Sequence, residues 1–161
     1  MRKTVFVAAA LLVLLSLVGC DMIKRIVPKE NATVGEKVEN GGKISENGAD
    51  VTVVSSSDTS LKVKIENNTD STWQSGNMRD YRLEVEVDGD WYEVKQVGEF
   101  ANTMELMIFA PGESLTHTFD FAERYGRLDQ GKYRVVKSFW ANATATTEAH
   151  EFHLVCEFNV E

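Results

Sequence analysis

The sequence predicts an all-β domain, an antiparallel two-sheet sandwich of about seven or eight strands, preceded by a signal peptide and a flexible tether. Three observations carry this. From Ala49 onward apolar and polar residues alternate with a period of two, as half-buried antiparallel strands require. Glycine, asparagine and proline pairs punctuate that alternation as turns do. No segment sustains the periodicity of an amphipathic helix.

The chain divides into residues 1–19, 20–48 and 49–161. In the first, Arg2 and Lys3 precede an apolar run from Val5 to about Val18. A positive start, a short apolar core and small residues before a cut define a signal peptide. The run is about 14 residues, short of the roughly 20 that span a bilayer as a helix. It ends in Leu17-Val18-Gly19-Cys20. These four residues resemble the lipobox of bacterial lipoproteins, a leucine, two small or medium residues and a cysteine. The resemblance implies cleavage before Cys20 and a diacylglyceryl group on its thiol. It therefore implies a protein anchored by lipid to the cell membrane and facing outside the cytoplasm. Two or three acyl chains hold durably where one is marginal. Asp21 follows Cys20; in a Gram-negative envelope it would mark inner-membrane retention, and in a Gram-positive one it carries no such meaning.

Cleavage would remove Arg2 and Lys3 and no acidic residue, leaving 15 basic and 25 acidic residues, net −10. Such a surface repels phosphate backbones and anionic headgroups, so nucleic acid is not an expected partner. Residues 21–48 hold scattered polar residues and the breakers Asn40-Gly41-Gly42 and Asn47-Gly48. They are expected to be a flexible tether with an r.m.s. span of about 30 Å. Lys24, Arg25 and Lys29 would either meet anionic headgroups beside the anchor or simply solubilise the tether. With Cys20 lipidated, Cys156 has no intramolecular partner, so no disulfide framework is expected. Its place in an alternating apolar run makes it a small buried hydrophobe.

Strands are expected at 50–56, at Leu61-Val63-Ile65, and at Tyr81-Leu83-Val85-Val87. Others are expected at 91–97, 103–109, 113–121 and 132–140, and at Phe152-Leu154-Cys156-Phe158-Val160. Asp88-Gly89 reads as a tight hairpin turn, and Pro111-Gly112 opens the strand at Leu115. One helical turn is expected within Ala122 to Leu128. Gly131-Lys132-Tyr133-Arg134-Val135 has the spacing of a tyrosine corner, in which a tyrosine at the start of a late strand bonds back to upstream backbone.

The motifs Glu66-Asn67-Asn68, Trp91-Tyr92-Glu93-Val94, Pro111-Gly112-Glu113, Tyr125-Gly126-Arg127-Leu128 and Gly131-Lys132-Tyr133-Arg134 occur in that order. Together they resemble the bacterial immunoglobulin-like domain of small lipoproteins and surface proteins, over roughly residues 50–160. The resemblance implies an immunoglobulin-like sandwich in the cell envelope and no common enzymatic activity. Pro111, Gly112, Gly131 and Tyr133 then carry structural roles at turns and corners.

Residue patterns for chemistry are lacking. No Gly-x-Ser-x-Gly elbow and no phosphate-cradling glycine loop is present. His150 and His153 are three apart on an expected strand, which sends them to opposite faces rather than to one metal. Asp88-Gly89-Asp90 lacks the spacing of a calcium loop and suits a hairpin. No enzyme, cofactor or metal is therefore expected.

Two candidate partner surfaces remain. Trp73 lies in a polar loop, 71–78, where it would be an interface anchor or would fold over one end of the sandwich. Met104, Leu106, Met107 and Phe109 belong to a segment apolar on both faces, either a buried strand or an exposed edge open to strand addition. The expected function is non-catalytic, binding or scaffolding of an envelope protein or polymer. The alternative is a protease inhibitor-like sandwich acting through a loop.

Overall fold

The computed structural model describes residues 31–38, 48–98 and 105–161. Cys20 and Met104 lie outside them. The described chain is all β, in two antiparallel sheets. In order the strands are β1 (Thr33–Lys37), β2 (Ala49–Ser56), β3 (Ser60–Asn67), β4 (Trp73–Ser75) and β5 (Arg82–Val87). They continue with β6 (Asp90–Lys95), β7 (Met107–Phe109), β8 (Ser114–Asp120), β9 (Gly131–Ala141) and β10 (His150–Val160). The small sheet runs β2-β3-β8; the large one runs β1-β6-β5-β9-β4-β7, with β10 also on β9.

β9 organises the large sheet. One side pairs with β10 along its whole length, from Gly131↔Val160 to Ala141↔His150. The other side is shared. β5 takes Tyr133 to Val136, and β4 takes Trp140 and Ala141. Residues 76–81 leave the sheet between those two partners.

Alternation places the core. Leu61, Val63 and Ile65 of β3 are buried, as are Leu83 and Val85 of β5 and Phe152, Leu154, Cys156, Phe158 and Val160 of β10. Toward the Ala141 end of β9, Trp73 stacks on Phe109 and meets Phe139 and Phe152 edge-on. Elsewhere Tyr81 packs on Phe119, Phe121 and Tyr125, and Phe158 stacks with Phe121 and Tyr133.

The turns behave as their chemistry dictates. Asp88 (φ 53°) and Gly89 (φ 87°) both occupy the left-handed region, as a hairpin turn matched to strand twist requires. Gly112 sits at φ 76° after Pro111, and Glu113 N–H closes that turn onto Ala110 O at 3.1 Å. Tyr133 Oη donates to Asp129 O at 2.9 Å, so the tyrosine corner is formed. The expected helical turn is a single one, with Tyr125 N–H donating to Phe121 O at 2.7 Å.

Three expectations change. Thr33–Lys37, placed in the tether, is a strand paired with β6; its lone apolar Val34 gives no period to read, and the partner strand supplies the order. The polar loop 71–78 contains β4, too short and too polar to show alternation. The strand expected at 103–109 is confined, among the described residues, to Met107–Phe109. Gly131, by contrast with Gly112, has no left-handed backbone, and an added Cβ would only touch the Tyr133 ring at 3.4 Å.

Candidate interaction surface

β7, the residue just before it and the end of β9 carry the most exposed apolar group of the large sheet. In register across it lie Ile108 on β7, Gln74 on β4, Trp140 on β9 and Glu151 on β10. Alternation turns Phe109 into the core and Ile108 out, and Leu106 shares the outward parity. Leu106 is 66% exposed, Ile108 58% and Trp140 46%. Neighbouring strands are about 4.8 Å apart, so Ile108 and Trp140 stand roughly 10 Å from each other across Gln74. This cluster sits at the Ala141 end of β9, about 33 Å along the strand from Gly131.

The candidate residues separate on this geometry. Leu106 is exposed and Met107 half-buried. Trp73 and Phe109 are core residues, 0% and 3% exposed, and neither offers a free surface. Of the two readings of Trp73, the one that folds it over an end of the sandwich holds. The ring is drawn inward by three phenyl rings, and its indole N–H is satisfied inside, donating to Thr69 Oγ1 at 3.1 Å. Asn67 closes the same end, its amide donating to Ser71 O at 2.8 Å and Phe109 O at 3.1 Å. Sequence reasoning missed Ile108 and Trp140 as outward residues; register with Gln74 shows them, and a single-strand pattern cannot.

The other half of the outer face is a charge network. Glu84, 0% exposed, accepts from Arg134 Nε at 2.6 Å and from Arg82 Nε at 2.6 Å. The Arg134 guanidinium lies 4.1 Å from the Trp91 ring centroid, a cation–π contact that shields the pair from water. Lys132 bridges Glu86 at 2.9 Å and Glu157 at 3.1 Å. A cleft of about 440 Å³ adjoins it, lined by Asp80, Arg82, Glu93, Lys95 and Arg124 among others. Arg82 there is already held by Glu84 and Glu93, and Arg124 by Arg79 O.

A family model described as a bacterial Ig-like domain matches residues 46–153. The chain belongs to that family. A comparison with curated proteins finds no match. Domains of this family are generally non-catalytic, and the titratable groups of this Ig-like domain can be weighed against that background. His150 starts β10 with Nδ1 2.9 Å from Glu148 O, and His153 bonds Ser138 Oγ at 3.0 Å, so the two histidines diverge. Among the described residues no three His, Cys, Asp or Glu side chains gather around a metal position. Cys156 is buried, and burial pushes its thiol up to about 11, which leaves it protonated and weakly nucleophilic at neutral pH.

Lys137 is the group the sequence did not single out. It is 2% exposed and alternates with Val135 and Phe139, so it points inward. Desolvation holds its amine below the ordinary lysine range, against the attraction of Asp80. His117, on the facing strand β8, is lowered as well, by burial and then by Lys137.

Proposed function

We propose that this chain is a lipid-anchored extracytoplasmic protein whose Ig-like sandwich is a non-catalytic binding or scaffolding module for another component of the cell envelope. The carrying observation is the solvent-exposed group Leu106, Ile108 and Trp140, which holds the two most exposed large apolar side chains of the described residues on an acidic molecule. Exposed apolar clusters of that kind mark interaction sites. The address rests on Cys20 at the end of its apolar run.

The described fold supports a particular posture. Asn31 is held beside the Gly131 end of β9, where its Nδ2 donates to Asp129 Oδ1 at 2.7 Å. Ten residues, 21–30, separate it from Cys20. Eleven Cα steps reach at most roughly 40 Å. The anchor would thus tie one end of β9 near the membrane and leave the apolar group at the other end.

Two measurements test this reading. Cys20→Ala should abolish incorporation of labelled fatty acid, and a variant that still takes up label sinks the anchor. Photo-reactive residues at 108 and 140, in the full chain in native membranes, should yield a discrete crosslinked band. Silence at both positions would remove the surface.

A further inference from the structure

We propose, on the reading that the domain is a binding module, that β7 takes up an extended segment of a partner protein as an added antiparallel strand. The chemistry of that segment would be apolar side chains at alternate positions, flanked by lysine or arginine.

β7 terminates the large sheet and is paired on one side only, with β4, among the described residues. An edge strand presents unpaired N–H and C=O groups to any extended chain, and natural sheets normally blunt such edges. The other edges of this molecule are interrupted or carry charge. β10, paired among the described residues with β9 alone, turns Glu151 and Glu157 outward. β1 carries a register shift between Val34 and Lys37 and ends in the Lys37–Asp90 ion pair. β2 is shifted between Val53 and Ser55, and Ser56 Oγ ties it to Asn159 O on β10 at 3.2 Å. β8 turns Ser114, Thr116 and Thr118 outward. β7 is only three residues long, which limits how far a partner can pair, but it has neither bulge nor charge within it, and it shows Ile108 to solvent beside Leu106.

Charge sets the partner's flanks. Glu151 faces Trp140 across the β9–β10 ladder, and Glu105 adjoins Leu106; both are exposed. Arg82, Lys132 and Arg134 of the outer face are engaged by Glu84, Glu93, Glu86 and Glu157 in the other half of the sheet. Lys137 lies on the opposite face and is buried. An acidic segment would therefore meet like charge, and a basic one its complement. In strand addition main-chain hydrogen bonds give affinity and alternate side chains give specificity. A partner residue next to Ile108 would extend the apolar row toward Gln74 and Trp140.

The test uses the full chain in mild detergent and three short synthetic peptides. One alternates valine with lysine, the second alternates valine with glutamate, and the third is the lysine peptide N-methylated along one edge. The lysine peptide should bind, and the other two should bind about tenfold more weakly or worse. Ile108→Lys should weaken it by about the same factor with an unchanged melting temperature. Val34→Lys, on the opposite edge of the sheet, should leave binding intact. Amide exchange should slow at Met107 to Phe109 on binding. No binding, equal binding of the lysine and glutamate peptides, or indifference to Ile108→Lys would overturn the proposal. If residue 108 crosslinks a partner in membranes while N-methylation has no effect, strand addition fails and the binding-module reading stands.

Discussion

Truncating Trp73 to alanine would empty a site lined by Phe109, Phe139 and Phe152. We expect a loss of about 3–5 kcal/mol, read as a lower urea midpoint at constant slope. A loss under about 1 kcal/mol would show that this ring is not a core element. Lys137 should behave in the opposite way. Its folded-state pKa lies below the ordinary 10.5, so the unfolded chain holds the extra proton between the two values. The penalty is absent above 10.5, grows as pH falls to the folded pKa, and is complete below it. Lys137→Met should therefore raise stability at neutral pH, by about 1–3 kcal/mol. The gain over wild type should shrink toward pH 10.5, and a gain that is flat across that window would count against the account. Nothing in Gly131-Lys132-Tyr133-Arg134-Val135-Val136-Lys137 announces that the last lysine turns inward. Alternation does place it with Tyr133 and Val135, but a charged residue at an inward position reads as a break in the pattern. Cys156 was legible for the converse reason: an apolar residue at an inward position needs no partner to explain it.

At the scale of elements, β1 separates what a sequence can show from what only pairing can. Strands β3, β5 and β10 carry their own alternation, and each buries the residues that alternation names. β1 has one apolar residue and lies where the chain crosses β6, so its order is tertiary. Gly35 is the point of contact, since an added Cβ would stand 2.8 Å from Glu93 O. Gly35→Val should detach β1, with amide exchange accelerating in β1 and β6 and the β9–β10 ladder remaining protected. Uniform acceleration across the domain would mean that β1 is integral to the core. Gly112→Ala, at φ 76°, should destabilise by about 1 kcal/mol, whereas Gly131→Ala should change stability little. Equal effects would show that φ is not what distinguishes them. The candidate surface was half legible for the same reason. The apolar run around Leu106 stood out by composition. Ile108 joins Trp140 only through β4, a strand of three residues that breaks from β5 over 76–81.

For the whole molecule, the described residues contain one cysteine, and it is free and buried. Two sheets closed on an aromatic core hold without a covalent staple. The melting temperature should be the same with and without reductant, and iodoacetamide should label Cys156 only on unfolding. Labelling of the folded protein at the rate of an exposed thiol would contradict the burial. Asp129 adds one more consequence. Asn31 is bonded to Asp129, and Glu161 lines the same cleft as Asp129. Residues 31 and 161 thus both lie beside Asp129. A short linker from residue 161 to residue 31 would join the two ends of the domain, and new ends could be cut in the loop 142–149 between β9 and β10. Such a circular permutant would keep every strand pair, because the order in which the strands are made is separable from the order in which they lie.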